Sequence, residues 1–402
     1  CSGQSNMEWP ADRSAGAEEE TTRPADPDLR LLVVPHRVSG EPQQELDARW
    51  VGASPNSVPG FSAVALAFGR ELRSSLGVPV GLIQATWGGT PAEAWTPRQG
   101  LETSEVLRPI LERWERSLAE YPEAKRRFEE ETARWREASS KAKPEGKPQP
   151  RAPSAPAGPD HPHRASGLWN GMVAPLVPFA IRGAIWYQGE SNAARAEEYA
   201  TLFPEMIRRW REAWGGGEFP FLFVQLANFR PGGKADGSTW AELRDAQRRA
   251  LSLPHTAMAV TIDIGEPGDI HPRNKREVGR RLSLAAKVRV YGLGGTDSGP
   301  EYRSASVEGD ALRLRFDPAS GGLVAKGELL GFEIAGEDRR FVPAQARIDG
   351  ETVLLRSPEV ARPVAARYAW ADDPPVSLFN GAGLPASPFR TDDGPWQTPG
   401  AR

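Results

Sequence analysis

Short apolar, β-rich runs alternate with helical patterns over roughly the first 290 residues, and this alternation limits the possible folds more than any other feature. The runs are residues 29–34, 78–85, 181–187, 221–226 and 257–262. Between the first two runs, apolar residues recur at helical spacing before a glycine suited to a C-cap: Phe61, Val64, Phe68, Leu72 and Gly77. Helical patterns also follow the third and fifth runs. Because such alternation is typical of a parallel sheet with crossover helices, the sequence predicts an α/β fold.

A charge-dense stretch near residues 101–165 interrupts this alternation. Its large apolar side chains recur at spacings of three, four and seven residues, which predicts an inserted helix or helical hairpin. Residues 143–162 follow it and are rich in Pro, Ala, Lys and Gly without periodicity, which predicts a mobile loop. We therefore expect one α/β domain over residues 1–298 that contains this insertion.

The pattern of apolar and polar residues changes from about residue 302. Residues 311–316 and 351–355 alternate apolar with polar side chains, and glycines and aspartates between them supply turns. This pattern predicts a small antiparallel β domain over residues 299–402. Its last part, residues 372–396, is rich in Pro and Gly and is expected to run irregularly over a surface.

Composition excludes some classes of partner. Lys plus Arg (50) nearly balances Asp plus Glu (53), for a net charge of -3, and no basic stripe points to nucleic acid. No apolar run approaches the roughly 20 residues that span a bilayer. The chain begins at Cys1 within a strand-like pattern, so we expect a signal peptide or a further domain to precede it. A single cysteine leaves no internal disulfide to form.

Four clusters of small and polar residues follow strands, at the edge where open α/β sheets bind ligands. They are residues 3–7, 87–95, 186–192 and 263–272. In the first, small residues allow a sharp turn that exposes Ser5 as a candidate nucleophile. In the second, Gly88 and Gly89 can point backbone N–H groups at an oxyanion.

The remaining two clusters supply side chains. Gln188 and Asn192 offer amide donors for an oxyanion, with Glu190 between them as a further candidate. His271 lies beside carboxylates at the end of a strand, which is typical of a general base held by an acid. Nucleophile, oxyanion donors and base together indicate a serine esterase.

These segments closely resemble the sialate O-acetylesterase family of the SGNH hydrolase superfamily. The matching stretches are CSGQSNMEWP, FSAVALAFGRELRSSLGVPVGLIQATWGGTPAEAW, WYQGESN, WAELRDAQ, DIHPRNKREVGRRL and LFNGAGLPASPFRTD. The resemblance implies a flavodoxin-like, three-layer α/β/α hydrolase domain that removes O-acetyl groups from carbohydrates without a metal or organic cofactor. It also implies a β-sandwich before this domain, and a periplasmic or secreted location.

By the same resemblance, Ser5 is the nucleophile and His271 the base. The N–H groups of Ser5 and of Gly88 or Gly89, with the Gln188 amide, form the oxyanion hole. Relatives often place the triad acid three residues before the histidine, where this chain has a glycine. Asp269 is the first choice for the acid, followed by Glu266 and Asp263, and a Ser-His dyad stays open.

The resemblance leaves the sugar open, because similar proteins act on acetylated xylan or other hemicellulose. For a sialate substrate, Arg244 or Arg273 is a candidate partner of the sugar carboxylate. Two other functions are compatible with the sequence: a carbohydrate-binding protein that has lost turnover, and a thioesterase or lipase of the same superfamily. The sequence does not indicate an oligomeric state.

Overall fold

The computed structural model describes residues 1–142, 148, 150–177, 179–230, 239–317 and 321–398. The helices are α1 Ser5–Glu8, α2 Ala17–Thr21, α3 Ala63–Leu76, α4 Arg98–Glu102, α5 Arg108–Ala142, α6 Ala196–Trp214, α7 Thr239–Arg249 and α8 Lys275–Arg289. The strands up to residue 260 are β1 Ser2–Gly3, β2 Asp26–Val33, β3 Val51–Ala53, β4 Val80–Thr86, β5 Ala184–Tyr187, β6 Phe221–Gln225 and β7 Thr256–Val260. All five predicted strands and the helices predicted beside them are present.

These seven strands form one sheet in the order β3-β2-β4-β1-β5-β6-β7. Only β3 runs antiparallel to its neighbour, β2. Apart from the β2–β3 edge, the five remaining strands have the flavodoxin-like order, in which the first strand lies between the second and the third. The strand order switches at β1, with β4 on one side of it and β5 to β7 on the other. A crevice is therefore expected at the carboxyl end of β1, where Ser5 follows.

Helices cover both faces of this sheet. On one face α3 packs against α8, and the contact is close because a Cβ at Gly279 would lie 2.5 Å from the Val64 carbonyl oxygen. On the other face α6 packs against α7. The helix α3 ends at Gly77, whose φ of 67° is the left-handed C-cap that the sequence predicts. The three-layer α/β/α architecture is therefore confirmed.

The insertion contains one long helix rather than a hairpin. Helix α5 runs over Arg108–Ala142, and an ion pair of 2.7 Å between Arg113 and Glu198 connects its N-terminal part to α6. The indole N–H of Trp135 donates to the Pro150 carbonyl oxygen at 2.8 Å, so the returning chain lies along the helix. Within the predicted loop of residues 143–162, positions 143–147 and 149 lie outside the described residues.

The C-terminal part contains antiparallel sheets, as predicted. Its strands are β8 Tyr302–Glu308, β9 Ala311–Phe316, β10 Leu323–Ala325, β11 Phe332–Ala335, β12 Val342–Pro343, β13 Gln345–Asp349, β14 Thr352–Arg356, β15 Ala365–Tyr368, β16 Leu378–Asn380 and β17 Phe389–Arg390. They pair as β13-β14-β9-β8, as β12-β11-β15-β17, and as β10-β16. The fold class that the sequence predicts is confirmed in both of its parts.

Residues 372–396 are irregular, as predicted, outside two short strands, but the prediction that they run over a surface is wrong. This segment contributes β16 and β17, and its Leu378 and Phe389 are buried. It also contacts the first sheet's helices, because the Asp372 carboxylate accepts a hydrogen bond of 2.9 Å from the Trp240 backbone N–H at the start of α7. Prolines and glycines shape the turns of this segment, while apolar residues between them anchor it.

Candidate active site

The turn after β1 presents Ser5. Gly3 has a φ of 138°, and a Cβ there would lie 2.1 Å from the Tyr187 carbonyl oxygen on β5, so only glycine fits. The next residue, Gln4, is buried and accepts a hydrogen bond of 3.2 Å from the Ser191 backbone N–H. The chain then enters α1 at Ser5. Close packing of β1 on β5 therefore sets the position of the serine.

Ser5 and His271, 266 residues apart in the sequence, form a hydrogen-bonded pair. The Ser5 Oγ and His271 Nε2 atoms are 2.9 Å apart. The imidazole ring also stacks on the Trp9 indole, with ring centroids 5.0 Å apart and planes inclined by 20°. This arrangement has the distance that proton transfer from a serine hydroxyl to a histidine requires.

The three candidate acids lie at different places. Asp269 Oδ1 accepts a hydrogen bond of 2.8 Å from the His271 backbone N–H, but it is 3.8 Å from His271 Nδ1, beyond hydrogen-bond distance. Glu266 accepts instead from the Arg273 backbone N–H, at 2.9 Å. Asp263 is held in an ion pair with Arg281. Only Asp269 is near the imidazole, and it orients the backbone of the histidine rather than its ring.

Replacing Asp269 with asparagine is therefore expected to lower kcat/KM by about tenfold or less, against about 10⁴-fold for the aspartate of a full triad. Asparagine keeps the oxygen that accepts from the His271 backbone N–H, so the loop should retain its shape. The measurement is 4-nitrophenyl acetate hydrolysis, with the exposed Asp310→Asn as the matched control. A loss near 10⁴-fold would show that Asp269 turns to the ring and acts as the triad acid.

The predicted oxyanion donors are not all available. The Gly88 N–H donates to Glu8 Oε2 at 2.5 Å. The N–H groups of Ser5 and Gly89 have no acceptor in the part of the chain that the structure describes. A Cβ at Gly88 would lie 3.3 Å from the Ser5 Cβ, so this loop contacts the nucleophile directly. Ser5 and Gly89 are accordingly the N–H donors that could face an oxyanion without releasing another partner.

The prediction that the Gln188 amide donates to the oxyanion is corrected by its surroundings. Its side chain is fully buried, and Nε2 donates to Asn192 Oδ1 at 2.7 Å and to the Thr90 carbonyl oxygen at 3.3 Å. Asn192 is buried as well, and its Nδ2 donates to Glu93 Oε2 at 2.8 Å. Both amides tie the loop after β5 to the loop after β4, because each already has partners inside the protein.

Several residues at the site were not predicted. His36 Nε2 lies 2.9 Å from Glu8 Oε1, and its ring stacks on Trp87 at a centroid distance of 4.1 Å. The hydrogen bond to Glu8 raises the pKa of His36. His163, from the insertion, lies 2.8 Å from the Gly89 carbonyl oxygen. His36 and His163 lie beside the glycine loop, but they come from segments without a sequence motif.

A buried group lies behind the catalytic pair; of its members, Glu190 was predicted as a site residue, whereas Asn6 and Lys275 were not. Asn6 Nδ2 donates to Glu190 Oε1 at 2.5 Å and to the Ile270 carbonyl oxygen at 3.0 Å, and Asn6 Oδ1 accepts from Lys275 Nζ. Asn6 and Lys275 are buried. Burial raises the pKa of Glu190 and lowers that of Lys275 to about 7. Glu190 is thus part of a buried network and not a donor to substrate.

A cavity of about 720 Å³ lies at the opposite edge of the sheet. Its lining includes Val80 and Ala184, the first residues of β4 and β5, together with Cys1, Trp50 and Phe179. Ser5 and His271 do not line it.

Among the described residues, no cluster of His, Cys, Asp and Glu has the arrangement of a metal site, and no helix is long and apolar enough to cross a membrane.

Helices cover both faces of the sheet, a serine follows its first strand, and a histidine follows its last. This combination places the chain among the α/β/α ester hydrolases. A family model described as carbohydrate esterase, sialic acid-specific acetylesterase matches residues 168–287. The mouse (Mus musculus) sialate O-acetylesterase is 30% identical over 97% of this chain and 76% of its own length, and the human (Homo sapiens) one is 30% identical over 98% and 75%. The chain belongs to the sialate O-acetylesterase family.

A solved structure agrees with this assignment. The crystal structure of XAC1771, described as a novel carbohydrate acetylesterase from Xanthomonas citri, aligns with a TM-score of 0.80. The two sequences are 39% identical, and the alignment covers 98% of this chain and 80% of XAC1771. The protein is thus an esterase, a carboxylic ester hydrolase, as the sequence predicts.

Proposed function

We propose that this esterase removes O-acetyl groups from carbohydrates through an acetyl-enzyme on Ser5. The observation that carries the proposal is the 2.9 Å contact between Ser5 Oγ and His271 Nε2. The relatives named above are a sialate O-acetylesterase and a carbohydrate acetylesterase, which supports an acetylated sugar as substrate. No cofactor is needed, since a serine, a general base and oxyanion donors suffice for acyl transfer.

In the first half of the reaction, His271 Nε2 takes the hydroxyl proton as Ser5 Oγ attacks the acetyl carbonyl carbon. The negative charge on the carbonyl oxygen is stabilised by the N–H groups of Ser5 and Gly89. His271 then returns the proton to the sugar oxygen, the carbon–oxygen bond breaks, and the sugar leaves as an alcohol. In the second half, His271 activates a water that hydrolyses the acetyl-enzyme to acetate.

The protonation state of His271 suits this role. Burial, with the positive charge of Lys275, lowers the pKa of the imidazole, and Asp269 partly opposes the shift. A lowered pKa means that the neutral imidazole, which can accept a proton, predominates at neutral pH and persists below it. On the acid side, kcat/KM should therefore fall as His271 becomes protonated, below the ordinary histidine range.

The two candidate arginines for a sialate carboxylate differ sharply. Arg244 is fully buried, and its guanidinium donates to the carbonyl oxygens of Leu226, Ala227, Ala371 and Asp372. It holds residues 371–372 against the end of β6 and cannot reach a sugar. The hypothesis that Arg244 binds the sialate carboxylate is therefore wrong. Arg273 is exposed two residues after His271, and it remains the candidate contact for an anionic sugar.

The test combines trapping with a substrate series. The protein should be quenched in acid during turnover of 4-nitrophenyl acetate, and mass spectrometry of its peptides should locate an acetyl group on Ser5. Acetate release from O-acetyl sialic acid and from acetylated xylan then compares the sugars. A chain-length series of 4-nitrophenyl esters should favour acetate. Preference for long acyl chains would indicate a lipase or thioesterase instead, and sugar binding without acetate release would indicate a binding protein.

Two further proposals follow from the family. We propose that residues 1–298 form the hydrolase domain and residues 299–402 a C-terminal β domain, since the antiparallel strands of that part begin with β8 after α8. We also propose a periplasmic or secreted location, which fractionation of cells that express the native gene would test.

A further inference from the structure

Lys275 places an ammonium group directly behind the catalytic pair. It is the first residue of α8, its side chain is fully buried, and Nζ donates to Asn6 Oδ1. The ammonium lies 5.6 Å from the centroid of the Trp9 ring and 5.7 Å from that of Tyr187. Trp9 is the ring on which His271 stacks, so Lys275 and His271 contact the same indole.

Asn6 connects this ammonium group to both catalytic residues. It follows Ser5 directly in the chain, and its Nδ2 donates to the carbonyl oxygen of Ile270, the residue before His271, at 3.0 Å. The same Nδ2 donates to Glu190 at 2.5 Å. One side chain therefore links the nucleophile turn, the histidine loop and the loop after β5, and Lys275 fixes its orientation.

A buried ammonium group is costly, which argues against a role in packing alone. Moving a charged amine out of water costs several kcal/mol even after relaxation, and a Met or Leu of similar volume would avoid this cost. The charged groups that face Lys275 are Glu190, Asp269 and Glu266, and those that face His271 are Lys275 and Asp269. Buried charges beside a reactive pair are typical of sites that tune proton transfer.

We propose that Lys275 is a positioning residue, which orients the Ser5 and His271 loops through Asn6 and, by its charge, keeps the imidazole unprotonated in mildly acidic solution. The proposal rests on the proposed function, since it assigns His271 the part of general base. Lys275 itself does not touch the reacting atoms. Its effect on the imidazole is electrostatic, because a positive charge nearby disfavours a second one.

Two substitutions separate the charge from the hydrogen bond. Lys275→Met removes both, whereas Lys275→Gln keeps an N–H donor toward Asn6 and removes only the charge. Lys287→Met is the matched control, because Lys287 lies on the same helix and pairs with Glu71 at 2.9 Å. Rates of 4-nitrophenyl acetate hydrolysis should be followed at the isosbestic wavelength of nitrophenol from about pH 5 to about pH 9. Thermal melting checks that each variant is folded.

In both Lys275 variants the acid limb of kcat/KM should move to higher pH. The ratio of variant to wild-type kcat/KM should then be about three- to tenfold smaller at the acidic end of the range than at the alkaline plateau. The plateau should fall about tenfold in Lys275→Met and less in Lys275→Gln, which keeps the donor to Asn6. Lys287→Met should change neither. If Lys275→Met does not fold, the pH profile of Lys275→Gln alone tests whether the acid limb of kcat/KM moves to higher pH.

Failure of this proposal can be told apart from failure of the proposed function. If hydrolysis depends on Ser5 but the acid limbs of wild type and the Lys275 variants coincide, Lys275 has only a structural role and the proposal is overturned. If hydrolysis persists in Ser5→Ala, the nucleophile assignment fails first, whatever the Lys275 variants show.

Discussion

Replacing Ser5 with alanine is expected to lower kcat/KM for 4-nitrophenyl acetate by about 10⁴- to 10⁶-fold. Alanine has no oxygen to attack the acetyl carbon, so no acetyl-enzyme can form. The residual rate would come from the oxyanion donors and from binding, which act without a nucleophile. The loss should appear equally with an acetylated sugar, because both esters are attacked by the same atom.

The fold of the variant should be unaffected. Among the described side chains, Ser5 Oγ has a hydrogen bond only with His271 Nε2, so its removal should change the free energy of unfolding by about 1 kcal/mol or less. Thermal melting monitors this, and the control is Ser75→Ala, whose exposed hydroxyl donates to the Glu71 carbonyl oxygen within α3. Full activity in a folded Ser5→Ala variant would exclude Ser5 as the nucleophile.

The fold could be predicted wherever local pattern and burial coincide. Strands β4 to β7 are buried runs between turn signals, and α3 carries an apolar face and a glycine cap, so their positions follow from the sequence alone. The residue 372 segment could not be predicted in this way. Its strands are two and three residues long, and their pairing depends on β10 and β15, which are distant in the sequence.

The site was predictable to the extent that its residues follow strands of one parallel sheet. The carboxyl ends of those strands meet at one edge, so Ser5 after β1 and His271 after β7 come together although the sequence separates them. The directions of amide side chains were not predictable. Gln188 lies in a motif typical of oxyanion donors, yet it turns to Asn192 because a buried acceptor is available there.

The contacts of Glu8 and Lys275 show a second limit. Both residues lie inside stretches that match the family, but whether a charge faces solvent or a neighbouring loop depends on packing that one sequence does not reveal. Glu8 accepts from Gly88 because the glycine loop passes over α1, and Lys275 is buried because α8 begins behind Asn6. The sequence around such charges does not identify the groups that they contact.

Replacing His271 with alanine is expected to reduce kcat/KM by about 10⁴- to 10⁶-fold, comparable to the loss in Ser5→Ala. Without the imidazole, nothing within hydrogen-bond distance of Ser5 Oγ among the described side chains can take its proton. Combining the two substitutions should add little to either loss, because the serine and the histidine act as one unit. The double variant therefore serves as an internal measure of their coupling.

Added imidazole should partly restore the rate of His271→Ala and leave that of Ser5→Ala unchanged, since only the former retains a nucleophile that needs a base. Trp9 offers the surface on which the missing ring stacked, at a centroid distance of 5.0 Å, so small imidazoles have a place to bind. The control is His255→Asn, because His255 is exposed and has a φ of 53°, a conformation that asparagine tolerates. A His271→Ala variant that keeps most of its activity, with His255→Asn also active, would require another base for Ser5.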